Sequence, residues 1–356
     1  MNRIVIKIGS NVITRKDGTL DVTRMSALVD QIALLTQKGY QVIMVSSGAV
    51  AAGRNEVTPS RHLDTVSSRQ LYSAVGQAKL INRYYELFRD HGMTCGQILT
   101  TKEGFGSRTH YLTQKHCMEV MLEQKVIPII NENDTISVTE LMFTDNDELS
   151  GLVAAMMDAD KLIILSNIDG IYDGNPSDPE SKVIRIVDRS VADLSDVVVA
   201  GKSTFGRGGM LTKSRIALKA AAEGIEVMIA NGKRENILPE LLDNPDTLCT
   251  RILPGERING VKKWIAHSHD FAKGEVVVNS GAAESLLDAT RAVSLLPVGI
   301  TAVNGNFEKG DLIQIKDEAG QLIGLGCSDY SSSDLQSSIG MKGLRPAVHY
   351  DYLYIE

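Results

Sequence analysis

Two lysines far apart in the sequence, Lys7 and Lys213, each stand beside a glycine turn, and together they suit chemistry on an anion. Lys7 lies near the end of the run Arg3-Ile4-Val5-Ile6-Lys7-Ile8, which is followed at once by Gly9, Ser10 and Asn11. Apolar residues on both sides of Lys7 read as a strand buried on both faces, where an unpaired ammonium is costly to desolvate. The side chain is therefore expected to face an anion at the strand's open end. Lys213 closes the run Gly206-Arg207-Gly208-Gly209-Met210-Leu211-Thr212-Lys213, read as a flexible turn into a helix with a lysine in its first turn. A cation there opposes the helix dipole unless an anion sits at the N-terminus. Between the lysines in sequence, Thr144-Asp145-Asn146-Asp147-Glu148 precedes an apolar-periodic helix. Two cations with an Asp/Asn cluster suit phosphoryl transfer by positioning and charge neutralisation. Taken singly, each segment also fits a plainer role: a lysine snorkelling from a strand end, an exposed lysine at a helix start, or an acid that only caps a helix.

Two further clusters face the same choice. Ser46-Ser47-Gly48-Ala49-Val50-Ala51-Ala52-Gly53 would let a ligand approach main-chain N–H groups at a helix start, or would serve tight packing of helix on sheet. Asn131-Glu132-Asn133-Asp134 follows the apolar run Val126 to Ile130 and reads either as a reader of a polar substrate or as an ordinary Asn/Asp turn. No GxxxxGK[ST] occurs, and no GxGxxG follows a strand, so a phosphate would have to be held by another scaffold.

The elements that must position these residues follow from periodicity. Up to about residue 255, short β-rich runs alternate with helical periods, the pattern of a parallel sheet layered by helices. Asp21 can cap a helix whose apolar face is Met25, Leu28, Val29, Ile32 and Leu35, and Gly39 can stop it. Strands are expected at Arg3 to Ile8, Gln41 to Val45, Cys95 to Leu99, Val126 to Ile130, Lys161 to Leu165 and Val227 to Ala230. Interleaved helices are expected at Gln70 to Phe88, Gln114 to Glu123, Glu148 to Met157 and Thr212 to Glu223, with Arg54 to Arg69 as a polar loop. In such sheets ligands collect beyond the carboxyl ends of the strands, where the clusters above fall. After about residue 255 the rhythm ends. Short strands, Glu275 to Val278, Leu312 to Lys316 and Leu322 to Gly326, are separated by glycines.

Composition bounds the class. The 356 residues are comfortable for two domains, 43% are hydrophobic, and the formal charge is −7. That charge argues against a nucleic-acid binder working by bulk electrostatics. No apolar run reaches membrane-spanning length, and the chain enters its first strand without a leader pattern, so a cytoplasmic protein with no membrane association is expected. Cys95, Cys117, Cys249 and Cys327 show no metal-ligand or disulfide spacing and are expected as reduced thiols. His267 and His269 have no carboxylate or cysteine at supporting spacing, so no metal ligand is named.

The motifs Val5-Ile6-Lys7-Ile8-Gly9-Ser10, Ser47-Gly48-Ala49, Gly76-Gln77, Ile130 to Asp134, Asp145-Asn146-Asp147, Ala159-Asp160-Lys161, Asp169-Gly170-Ile171-Tyr172 and Gly208 to Lys213 occur in one order over nearly the whole length. The chain thereby resembles the amino-acid kinase superfamily and, within it, the glutamate 5-kinase family. The resemblance implies an α/β fold, an open, mainly parallel sheet sandwiched by helices, in residues 1–255. It further implies a linker at 256–271 and a small mixed β-barrel of PUA type in 272–356. The activity implied is ATP-dependent phosphorylation of the γ-carboxylate of L-glutamate, with magnesium, as the first step of proline biosynthesis. In this likeness Lys7 and Lys213 stabilise the transferring phosphoryl group and Asp147 holds them. Ser47, Asp134 and Asn146 bind glutamate. Lys7, Ser166, Asn167 and the run Arg207, Gly208, Gly209, Met210, Leu211, Thr212 and Lys213 bind the nucleotide.

Two positions depart from the family's usual residues, Asn167 for an acid and Arg207 for a small hydroxyl residue. Proline feedback, a dimer or tetramer, and hand-off of the product to the next enzyme are also implied. Residues 272–356 hold six Lys+Arg against eleven Asp+Glu, which disfavours RNA as a partner of the PUA-like part. The alternatives are a related carboxylate or carbamate kinase of the same fold, or a non-catalytic ligand-sensing or RNA-binding regulator.

Overall fold

A computed structural model of the chain describes residues 2–136, 146–176, 178–188, 209–257, 260–266, 271–288 and 291–355. Two compact units result, Met1–Gly104 with Thr109–Arg257, and Phe105–Arg108 with Ile258–Glu356. From the amino end the chain forms β1 (Arg3–Ile8), α1 (Ser10–Ile13), α2 (Val22–Gln37), β2 (Gln41–Ser46), α3 (Ala49–Arg54) and α4 (Thr65–Asp90). Next come β3 (Thr94–Thr100), α5 (Lys102–Gly106), α6 (Arg108–Glu123), β4 (Val126–Glu132), α7 (Asn146–Met156) and β5 (Lys161–Ser166). Then follow β6 (Ile186–Val187), α8 (Gly209–Ala222), β7 (Glu226–Asn231), α9 (Ile237–Asp243) and β8 (Thr250–Ile252).

The sheet of the first unit has the order β3-β4-β2-β1-β5-β7-β8-β6. Its pairs are parallel except for β7 with β8. Buried on both faces, β1, β2 and β5 need no polar alternation, which is why their Ile, Val and Leu run unbroken. The stripe Met25, Leu28, Val29, Ile32 and Leu35 of α2 is buried as its spacing predicts. Asp21 Oδ1 accepts from the Arg24 N–H at 3.1 Å, and Gly39 takes φ +89° just beyond the helix end.

Of the boundaries that differ from expectation, three bear on the site. β4 continues through Asn131 and Glu132, which are strand residues and not a turn after the strand. α4 begins at Thr65, because Asp64 caps it through the Ser67 N–H at 2.9 Å, so Arg69 stands on a helix and not in a polar loop. α8 is already helical at Gly209, which puts Lys213 just beyond the first turn. The crossing of α3 and α4 is close. A Cβ on Gly53 would lie 1.8 Å from the Tyr72 carbonyl oxygen, and one on Gly76 the same distance from that of Ala49. The small residues after β2 therefore do serve packing.

The second unit contains α10 (Gly260–Ala266), which falls in the stretch expected as a linker. It also has β9 (Gly274–Val278), α11 (Ser280–Leu287), β10 (Ile300–Gly305), β11 (Leu312–Lys316), β12 (Leu322–Cys327), α12 (Ser332–Ser338) and β13 (Leu353–Ile355). The mixed sheet β10-β9-β11-β12-β13 has one parallel pair, β9 with β11, and packs around a core of Val276, Phe307, Ile313, Ile315, Ile323 and neighbours. Trp264 Nε1 donates to the Phe105 carbonyl at 2.9 Å, and the Arg108 guanidinium lies 5.6 Å from the Trp264 ring and 5.3 Å from that of Tyr352.

Candidate active site

Strand register brings the chemistry to one edge of the large sheet. Ile8 is level with Ser46 on one side and Leu165 on the other, and Ser166 is level with Asn231. The carboxyl ends of β1, β2, β5 and β7 thus share a rim, the place where open parallel sheets bind ligands. Gly9 donates to the Leu165 carbonyl at 3.1 Å. A Cβ there would stand 3.1 Å from that oxygen and 3.4 Å from Lys7 Nζ, so glycine keeps the space beside the ammonium open.

Lys7 Nζ lies 2.5 Å from Asp147 Oδ1, and Lys213 Nζ lies 2.7 Å from Asp147 Oδ2. Asp147 is fully buried, the second residue of α7, which packs on β1 and on α8; the latter carries Lys213. Burial alone would raise the Asp147 carboxyl, but Lys7 and Lys213 reverse that and hold it below the usual carboxylate range. Among these three described residues two ammoniums stand against one carboxylate, and positive charge is what an incoming phosphoryl group requires.

Beside this constellation lies a cleft of about 350 Å³, lined by Ser10, Ser47, Gly48, Arg69, Asp134 and Asn146 among others. Asn146 Nδ2 donates to the Ser46 carbonyl at 2.8 Å, to Ser47 Oγ at 3.0 Å and to Asn131 Oδ1 at 2.8 Å, which ties the start of α7 to the ends of β2 and β4. Gly48 takes φ +101° at the turn into α3. Asp134 accepts from Arg69 Nε at 2.7 Å and from Ser73 Oγ at 3.0 Å, and a terminal nitrogen of Arg69 reaches Glu132 Oε2 at 3.0 Å.

The structure therefore brings Lys7, Asp147 and Lys213 into one cluster and sets Ser47, Asp134 and Asn146 around one cleft. Ser166 ends β5 beside Asn167, with Ser166 Oγ 3.4 Å from Asn167 Oδ1, and Gly209, Met210, Leu211 and Thr212 form the start of α8. Thr144, Asp145, Arg207, Gly208, His267 and His269 lie outside the described residues. Sequence reasoning missed Ser73; it had Glu132 only as part of the cluster Asn131 to Asp134, and Arg69 only as the end of a polar stretch that the family likeness ties to glutamate binding. The signal for Arg69 and Ser73 was the Asp64 cap, which starts α4 early enough to put both on one face, four residues apart. Among the described residues no group of three or more His, Cys, Asp or Glu could hold a metal ion, and both Asp147 oxygens face lysines.

The amino acid kinase family model matches residues 2–231, and the PUA domain model matches residues 274–350. A glutamate 5-kinase of Bacteroides thetaiotaomicron is 62% identical over 99% of this chain and 98% of its own length. One of Chlorobaculum tepidum is 46% identical over 99% and 97%. Among solved structures, carbamate kinase from Giardia lamblia bound to AMP-PNP shares the kinase fold with a TM-score of 0.53 at 18% identity, over 71% of this chain and 98% of that one. With these matches spanning both units, the chain belongs to the amino acid kinase family and, within it, to the glutamate 5-kinases, with a C-terminal PUA domain.

Proposed function

We propose that the protein transfers the terminal phosphoryl group of ATP to the γ-carboxylate of L-glutamate, giving L-glutamate 5-phosphate. The observation that carries this reading is the convergence of Lys7 and Lys213 on buried Asp147 beside a polar cleft. A glutamate side chain has a reference pKa of about 4.3, so at neutral pH it is already an anionic nucleophile and needs no base. What the reaction needs is relief of repulsion between two anions. Lys7 and Lys213 supply it, and Asp147 keeps both ammoniums aimed at the migrating group.

In this reading Ser47 and Asn146 hold the γ-carboxylate, Asp134 takes the substrate ammonium, and Ser166, Asn167 and the residues leading to Lys213 hold the nucleotide. Magnesium belongs to the same reading as part of the co-substrate, held mainly by the phosphates of the nucleotide and by water. The acyl phosphate product hydrolyses and cyclises readily, which favours hand-off to the next enzyme. Proline feedback, assembly as a dimer or tetramer and a cytoplasmic location belong to the same reading.

The test is incubation with ATP, magnesium and a panel of acids including glutamate, aspartate and N-acetylglutamate, with hydroxylamine to trap acyl phosphate. Hydroxamate is expected from glutamate. Its appearance only with another acid would overturn the substrate, and its absence with every acid would overturn the activity.

A further inference from the structure

We propose that Arg234 binds the α-phosphate of the nucleotide and that Asp169 positions Arg234 for it. The proposal rests on the reading of the sheet rim as a site of phosphoryl transfer from ATP.

In an in-line transfer the donor and the acceptor lie on opposite sides of the migrating group. The amino-acid cleft is lined from the β2 and β4 side, by Ser47, Asn131 and Glu132. The nucleotide must therefore reach Lys7 and Lys213 from the other side of β1, over the ends of β5 and β7. Neighbouring strands are about 4.8 Å apart, so the end of β7 stands about 10 Å from that of β1. With the terminal phosphate at Lys7, that span brings the phosphate next to the sugar toward β7.

The turn after β7 is tied down on this rim. Asn231 is level with Ser166, and the Gly232 N–H donates to the Ser166 carbonyl at 2.8 Å, which joins the turn to the end of β5. A Cβ on Gly232 would stand 2.7 Å from Val12 Cγ1, so the turn also runs close against α1, the helix that follows Lys7 and Gly9. Inside the turn Asn231 Oδ1 accepts from the Lys233 N–H at 3.0 Å, and the Asn231 carbonyl accepts from the Arg234 N–H at 3.1 Å.

The Arg234 side chain is held as well. Its Nε donates to Asp169 Oδ1 at 2.7 Å. Arg234, and after it Asn231 and Tyr172, hold the Asp169 carboxyl below the usual carboxylate range, so at neutral pH the pair is fully ionic. With the arginine 44% exposed, such a pair adds little to stability. What it does is fix the plane of a guanidinium by one nitrogen, while the remaining donors sit on the terminal nitrogens. Phosphate oxygens match that fork. Lys233 beside it is exposed and makes no ion pair among the described residues, so Arg234 is the aimed cation of this turn.

The test measures steady-state constants in the wild type and in Arg234→Met. The variant should raise KM for magnesium–ATP about tenfold or more, the scale of losing one charge-assisted hydrogen bond. Its kcat at saturating ATP should stay within about twofold and its KM for glutamate unchanged. Two inhibitors competing with ATP separate contact from shape. The inhibition constant of AMP should rise about tenfold in Arg234→Met, and that of adenosine should stay within about twofold. Equal weakening of both would show that Arg234 only shapes the turn, and it overturns the proposal, as does a KM for ATP within twofold of wild type. Because Arg234→Met could disturb the turn, Asp169→Asn and Arg234→Lys are measured as well. Asp169→Asn should raise KM for ATP several-fold, and Arg234→Lys should recover part of the affinity for AMP that Arg234→Met loses. Failure of both expectations also overturns it. A wild type that forms no acyl phosphate from any acid is a different failure, since it removes the reading of the site and this proposal with it.

Discussion

At the rim of the large sheet the first unit buries Lys7, Glu132, Asp134 and Asp147. In the C-terminal unit the described ion pairs Lys273–Asp311, Lys309–Asp329 and Lys316–Glu275 lie nearer solvent, around an apolar core. Each unit also has a cavity. The one at the start of α11 holds about 300 Å³, close to the 350 Å³ of the kinase cleft, yet its described lining, Asn279, Ala282, Leu286, Leu295, Val298 and neighbours, contains no charged residue. Volume therefore does not mark the site. A buried charge alone does not either, since the C-terminal unit buries Lys263. Two ammoniums gathered on one buried carboxylate do, because burying an ion pair costs several kcal/mol that hydrophobic side chains of similar size would avoid. An arrangement of two ammoniums on one buried carboxylate is a poor way to stabilise a fold and a good way to receive an anion.

The sharpest way to break this contrast is to remove the central acid. Asp147→Asn keeps the shape, leaves two cations without their anion, and should lower kcat by about 10²- to 10³-fold in the hydroxamate assay. A packing change comes next. Gly76→Val forces a side chain into the Ala49 carbonyl and should cost about 3 kcal/mol in urea unfolding, with a smaller effect if α3 and α4 can separate.

A pH series then separates charge from shape. The Asp147 carboxyl is held below the usual range when folded and titrates near 3.9 when unfolded, so its contribution to stability is whole above about pH 4 and is lost as pH falls through the folded value. The stability gap between wild type and Asp147→Asn should accordingly narrow on acidification below pH 4, as followed by thermal unfolding. The smallest effect belongs to the other unit. Removing the half-exposed Lys316–Glu275 pair by Glu275→Gln should change stability by no more than about 1 kcal/mol, and a larger loss would mean that the two units handle charge alike.

Much of the first unit was legible because strands buried on both faces leave unbroken apolar runs, and a lysine inside such a run stands out. Lys7 stood out in that way, although its strand alone fitted a lysine snorkelling from a strand end equally well. The partnership of Lys7 and Lys213 with Asp147 was not legible from spacing, since it depends on α7 and α8 packing together, and it came through family likeness. Arg69 stayed hidden because the first turn of α4, Thr65 to Ser68, has almost no apolar period, and its contact with Asp134 spans 65 positions. In the C-terminal unit β9, β11 and β12 were found, while β10 and β13 were not. β10 has a single buried residue, Ile300, and β13 has only three residues, too few to show a period.

The account turns on two ammoniums acting on one migrating phosphoryl group, and the most direct measurement is kcat of Lys213→Ala and Lys7→Ala with saturating glutamate and magnesium–ATP. A fall of at least about 10²-fold in each, with the folded state intact, is the predicted result. Turnover within a few-fold of wild type in both variants would contradict it.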